Sequence, residues 1–156
     1  MFKIKIEYLP SYKKEWDRLA YKHAGDAGFD LRAAIDEPIT LQPNEFKLIS
    51  TGIKMEMLPD TTLPFNFEMQ IRPRSGLAAK HGIGIINSPG TVDFLYRGEI
   101  KTPLINLSKE PFTINPGERI AQAVICPVIQ AVIEETDQVE ENTDRGCGGF
   151  GSTGTK

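Results

Sequence analysis

The chain has 156 residues, 40% of them hydrophobic and 25% charged, with two cysteines and a net charge of −3. A chain of that length forms one domain and buries about 68–70% of its unfolded surface, so it needs no disulfide framework to fold. The mild acidity gives no reason to expect a nucleic-acid binder, and 14 glycines with 11 prolines mark a turn-rich chain rather than a low-complexity one.

Taken in chain order, Phe2, Ile4 and Ile6 alternate with Lys3, Lys5 and Glu7, which sets the apolar side chains on one face of a strand. The same alternation leaves no signal-peptide core. Ser11 to Lys22 carries Tyr12, Trp16, Leu19 and Ala20 on one helical face behind a candidate Ser11 cap; a short helix and an irregular segment fit it equally. Ala27-Gly-Phe-Asp-Leu31 puts Asp30 among apolar neighbours at the expected start of a strand. Phe46–Ser50 and Ile53–Leu58 flank Thr51-Gly52 as two strands, and Phe65, Phe67, Met69 and Ile71 alternate with polar residues in a third.

Arg72-Pro-Arg-Ser-Gly-Leu77 places Arg74 and Ser75 just before a short predicted helix, Leu77–His81. A helix N-terminus beside an arginine is an anion site. Asn87 to Glu99 reads as a hairpin carrying Asn87, Asp93 and Tyr96. Strands are also predicted over Glu99–Leu107, Phe112–Ile114 and Arg119–Ile133, the last broken at Pro127. Turn signals recur between them, at Pro43-Asn44, Pro59-Asp60, Ser88-Pro89-Gly90 and Asn115-Pro116-Gly117. Many short strands at regular spacing predict an all-β sandwich or barrel. The longest apolar stretch, Ala121 to Ile133, is interrupted by Gln122, Pro127 and Gln130 and is too short to cross a bilayer, so a cytoplasmic protein without membrane contact is expected.

Glu134, Glu135, Asp137, Glu140, Glu141 and Asp144 follow with no base among them, so the rest of the chain carries a small positive charge suited to an anionic small molecule. The chain closes on Arg145-Gly-Cys-Gly-Gly-Phe-Gly-Ser-Thr-Gly-Thr-Lys156. By composition this reads as a disordered tail. By chemistry it is also a ligand clamp, in which arginine takes phosphate, Phe150 stacks on a ring and glycine lets backbone amides approach.

Several chemistries are excluded. There is no P-loop lysine motif, dinucleotide fingerprint or H-E-x-x-H. Cys126 and Cys147 lack the histidine partners of a zinc site, and Cys126 reads as a small core residue. His23 and His81 read as surface or loop histidines. Singly, the remaining polar turn residues have bland readings: Asp30 as a turn cap, Arg119 as a surface pair, Tyr96 as core filling.

Together these residues resemble one family, the homotrimeric dUTP diphosphatases (dUTPases). Five motifs occur in the family's order: Ala27–Leu31, Arg72–Ala78, Asn87–Glu99, Gly117–Gln122 and Arg145–Gly154. The resemblance spans essentially the whole chain. It implies a jelly-roll-like β barrel or sandwich with one short helix and an extended C-terminal arm, assembled as a homotrimer whose sites are shared between subunits. Residues 1–133 would form the body, 134–144 a linker arm and 145–156 a glycine-rich lid over a neighbouring subunit's site. Fully extended, that arm reaches roughly 36 Å.

The activity implied is hydrolysis of dUTP to dUMP and diphosphate, which keeps uracil out of DNA and supplies dUMP for thymidylate synthesis. Asp93 would activate the water that attacks the α-phosphorus. Mg²⁺ would be held by the phosphates and waters without a direct protein ligand, with Asp30 and Gln122 acting through metal-bound water. Arg74, Ser75 and Gly76 would hold the α and β phosphates, and Arg145, Gly151, Ser152 and Thr153 the γ-phosphate. Asn87, Gly90, Thr91, Val92 and Lys101 would belong to the hairpin that reads uracil. Tyr96 would pack under the deoxyribose and exclude a 2′-hydroxyl, and Phe150 would stack over the base.

Two departures stand out. Leu95 occupies a position where the family commonly has a second aspartate, and Pro59–Phe67 is longer than the usual turn before the second motif. Both motivate an alternative, a nucleotide-responsive regulatory protein on the same fold. The related dCTP deaminase branch lacks support, because its catalytic glutamate signature is not evident whereas Tyr96 and Arg145–Gly154 are intact.

Overall fold

The computed structural model describes residues 2–148, and among these every regular element but one is a strand. The strands are β1 (Ile4–Tyr8), β2 (Gly28–Arg32), β3 (Ile39–Leu41), β4 (Phe46–Ser50), β5 (Ile53–Met57), β6 (Asn66–Arg72), β7 (Ile83–Ile85), β8 (Gly90–Val92), β9 (Lys101–Asn106), β10 (Phe112–Ile114) and β11 (Arg119–Val128). The single helix, α1, spans Ser75–His81. All pairings are antiparallel, in the orders β2-β11-β6-β8, β4-β9-β7, β1-β5 and β10-β3. This is the expected jelly-roll-like all-β architecture with one short helix.

The period-two patterns explain the layers. In β5, Ile53, Met55 and Met57 are buried, while Lys54 and Glu56 face outward. Lys5 lies opposite Glu56 and Glu7 opposite Lys54, so the outer face carries ion pairs of 3.0 and 3.6 Å. Phe29 and Leu31 of β2, Met69 and Ile71 of β6, Ile49 of β4 and Leu104 of β9 meet in one core. Each such buried side chain stabilises the fold by about 1.5–3 kcal/mol. Within that core Thr102 is fully buried, and its Oγ1 is the one buried side-chain polar atom without a hydrogen-bond partner among the described residues.

One open reading is decided, and four expectations are corrected. Ser11–Lys22 is not helical but a run of turns, with Tyr12 N–H donating to Leu9 O and Trp16 N–H to Lys13 O. Tertiary contacts outweigh the helical spacing there: Tyr12 Oη donates to Asp17 O, Leu19 N–H donates to Tyr8 Oη, and the Arg18 guanidinium lies 4.2 Å from the Tyr8 ring centroid. The last strand is not broken at Pro127; Pro127 pairs in register with Phe67, and β11 ends at Val128. Asp30 sits in the middle of β2 rather than at a strand start. Asn87–Glu99 is not a β-hairpin, because β8 pairs with β6 while β9 pairs with β4 and β7 in another sheet. Helix α1 begins two residues before the predicted start and ends at Gly82 in the left-handed conformation.

Candidate active site

The polar residues around Asp30 are assembled by strand register. Asp30 of β2 is opposite Gln122 of β11, which is in turn opposite Arg72 of β6, so their side chains share one face of the sheet. Arg74, just beyond β6, donates from Nε to Asp30 Oδ1 at 2.8 Å and from a terminal nitrogen to Arg119 O at 3.3 Å. Arg119 donates to Asp30 Oδ2 at 3.2 Å. One carboxylate thus aligns two guanidiniums. Gln122 Nε2 donates to Pro73 O at 2.9 Å, which fixes the chain where it enters α1. Ser75 and Gly76 then lie exposed in the first turn of α1, where backbone N–H groups have no intrahelical acceptor. No acid occupies that turn, and Lys80 and His81 occupy the last, so the local charge favours an anion.

A second group lines a cleft of about 490 Å³ formed by Leu48, Thr91, Val92, Asp93, Tyr96, Glu99, Ile100 and Lys101. Asp93 is exposed just past β8, at the start of a turn closed by Tyr96 N–H donating to Asp93 O at 3.0 Å. Tyr96 Oη donates to Glu99 O at 3.0 Å, and the ring packs so closely on Gly98 that a Cβ there would lie 2.6 Å from Tyr96 Cζ. Gly90 is buried beneath the Asn87 amide, where a Cβ would come within 3.5 Å of Asn87 Nδ2.

The structure therefore brings together Thr91, Val92, Asp93, Tyr96 and Lys101, and separately Asp30, Arg74, Arg119 and Gln122. Asp30 and Arg119 face a different depression, of about 250 Å³, with Arg32 and the Asp17–Lys22 segment. Arg145 lines neither depression; its Nε donates to Gly148 O at 3.0 Å. Phe150, Gly151, Ser152 and Thr153 lie outside the described residues. Leu48, Glu99 and Ile100 were not singled out from sequence. No sequence signal marked Leu48: alternation with Lys47 reads as core-facing, whereas Ile49 is the residue of β4 that is buried.

The donor set can be tested against a divalent cation. Among the described residues no group of three or more histidine, cysteine or acidic side chains is placed to hold a metal ion. Asp30 keeps unused lone pairs beside its arginine bonds, and Gln122 Oε1 lies against Gly28 while its Nε2 is engaged. These residues present acceptors suited to hydrogen bonds from metal-bound water. They fit an ion carried by a polyphosphate.

A dUTPase family model matches residues 14–154. The deoxyuridine 5′-triphosphate nucleotidohydrolase of Maricaulis maris is 55% identical over 139 residues, covering 88% of this chain and 87% of that protein. A mutant of the Staphylococcus bacteriophage 80alpha dUTPase with dUpNHpp superposes with a TM-score of 0.80 at 23% identity, over 97% of this chain and 98% of that one. A mutant dUTPase from phage phi11 of S. aureus, described as revealing the coordination of a structural Mg(II) ion, matches with a TM-score of 0.72 at 21% identity, over 88% and 99% of the two chains.

Proposed function

The chain belongs to the dUTPase family, and on that premise we propose that it hydrolyses dUTP to dUMP and diphosphate with Asp93 as the general base. The observation that carries the assignment is an exposed carboxylate in a cleft lined by Thr91 and Val92 of β8 and by Tyr96. Asp93 takes a proton from a water as the water oxygen bonds to the α-phosphorus. The bond from that phosphorus to the bridging oxygen breaks, and diphosphate leaves. Magnesium, when bound with the triphosphate, neutralises phosphate charge. Asp30 and Gln122 would orient its waters, and Arg74, Ser75 and Gly76 would hold the α and β phosphates.

Specificity lies in the 87–101 segment. Backbone groups of Gly90, Thr91 and Val92 read the uracil edge, with Asn87 in support and no room for a 5-methyl group. A close wall is needed because a methyl contact alone discriminates by only about 1–3 kcal/mol. Tyr96 packs under the deoxyribose. Arg145, Gly151, Ser152 and Thr153 hold the γ-phosphate and Phe150 covers the base, with residues 134–144 as the arm that delivers them.

A homotrimer with shared sites accounts for two features of the isolated chain. The phosphate-facing and cleft residues open onto separate depressions, which supports a site completed by a neighbouring subunit. Phe46 and Leu48, 58% and 62% exposed, lie on the outward face of β4-β9-β7 opposite Ile105 and Pro103, an apolar surface suited to burial between subunits. No helix among the described residues is long and apolar enough to cross a membrane.

The Asp93→Asn protein should keep its fold and lose at least 100-fold in kcat, on the order of what general-base catalysis supplies. Turnover at the wild-type rate would remove Asp93 from the role of base. One observation favours a second reading: Leu95, at the tip of the cleft turn, is 77% exposed. If the protein is a nucleotide-responsive regulator, a partner should be captured differently with and without dUTP, and the Leu95→Asp change should weaken that capture.

A further inference from the structure

We infer that Glu99 is a positioning residue that ties the nucleotide cleft to the rigid Thr51-Gly52 turn and thereby fixes Tyr96. The inference rests on the dUTP reading of the cleft.

The anchor is held from several directions. Gly52 has a φ of +66°, and a Cβ there would lie 2.6 Å from the Ala34 Cβ, so only glycine fits. Its carbonyl accepts from Leu9 N–H at 2.8 Å. Thr51, 1% exposed, donates to Ile100 O from both its backbone and its hydroxyl, and Ile100 N–H donates to Ile53 O at 2.9 Å. The turn between β4 and β5 is therefore tied to the core by several hydrogen bonds.

Glu99 extends this anchor into the cleft. Its Oε1 accepts the Gly52 N–H at 3.1 Å, and its Oε2 lies 3.4 Å from Lys101 Nζ. The side chain is 21% exposed, far less than Asp93 or Tyr96 beside it are as residues. The backbone carbonyl of the same residue accepts from Tyr96 Oη. A chain of contacts thus runs from the Gly52 N–H through the Glu99 side chain and backbone to the Tyr96 hydroxyl. The other ties on residues 96–99 are local: the Asp93–Tyr96 turn, Arg97 donating to Phe94 O at 2.8 Å and to Tyr96 O at 2.9 Å, and the Glu99–Lys101 ion pair, so the Gly52 bond is the side-chain tie that reaches the β4–β5 turn. Glu99 touches no reacting atom, so its effect on the reaction passes through Tyr96.

The test uses the full chain with dUTP and UTP as substrates and amide hydrogen exchange as a readout that needs neither. Glu99→Ala and Glu99→Asp both lose the reach to Gly52, the second while keeping the charge near Lys101. Each should lower the dUTP:UTP ratio of kcat/KM roughly tenfold, the equivalent of one hydrogen bond of about 1.4 kcal/mol. In both, the Gly52 and Tyr96 amides should exchange roughly tenfold faster. Glu99→Gln, which still accepts from Gly52, should stay within roughly threefold of wild type on both measures. On a Tyr96→Phe background, Glu99→Ala should change the ratio no further, because both changes break the same chain.

Additive effects, an unchanged ratio in Glu99→Asp, or unchanged exchange at Gly52 and Tyr96 would overturn the positioning role. So would Glu99→Gln proving as damaging as Glu99→Ala. A wild-type protein that does not turn over dUTP would instead overturn the functional reading, and exchange would still decide whether Glu99 holds the turn.

Discussion

Replacing Gly98 with alanine separates folding from recognition at the cleft. Gly98 does not adopt a positive φ, so its backbone accepts alanine. The added methyl would meet Tyr96 Oη and lie 2.6 Å from Cζ, and the ring, which is 46% exposed, must swing outward. The fold loses the Tyr96–Glu99 hydrogen bond, about 0.5–1.5 kcal/mol, and regains about 0.4–1 kcal/mol from the reduced entropy of the unfolded chain. The net change is within about 1 kcal/mol, or about 4 °C in Tm for a chain this size. Recognition loses more, because an aromatic side chain contacting the sugar supplies on the order of 1.5–3 kcal/mol. That converts to roughly a 10- to 150-fold loss in kcat/KM for dUTP. UTP should be affected far less, since its 2′-hydroxyl already conflicts with the ring. Steady-state kinetics on both nucleotides and a thermal melt decide the matter. A normal melt with an unchanged dUTP:UTP ratio would refute the placement of Tyr96 against the sugar.

Three further outcomes are expected. Deleting residues 145–156 should lower kcat/KM for dUTP at least tenfold by removing the γ-phosphate arginine and the stacking ring, while the melting temperature stays unchanged, because no residue of 129–148 is buried; a melt and a kinetic assay check both parts. Thr102→Val should raise stability by about 1 kcal/mol in a denaturant melt, since it removes a buried hydroxyl with no partner and nearly preserves shape. The Tyr12 phenol is raised above its usual 10.0, chiefly by burial and then by Tyr8. Its contribution is therefore complete below the unfolded value and lost as pH rises through the higher folded one, so Tyr12→Phe should flatten the alkaline side of the stability–pH profile.

Much of the site was legible because its chemistry is written in short contiguous runs. Asp93 and Tyr96 are three residues apart and share one turn, and Arg74, Ser75 and Gly76 open one helix. The role of Glu99 is not legible in the sequence, because its partner Gly52 is 47 residues away and a hydrogen bond to a backbone N–H leaves no trace in residue type. Asp30 was assigned to metal-bound water. Its engagement with Arg74 and Arg119, 44 and 89 residues distant, depends on strand register.

By itself the sequence determined the all-β class, because alternation of apolar and polar residues leaves a strand as the conformation that buries one set and solvates the other. It also determined the family, through five motifs whose order does not depend on packing. Only the tertiary structure decided that Ser11–Lys22 is irregular, since aromatic stacking on Arg18 and Tyr8 outweighs a weak local helix preference. It likewise decided that β8 and β9 part into separate sheets. Strand pairing is a long-range choice, set by which edges the core leaves open, and no local run of residues encodes it.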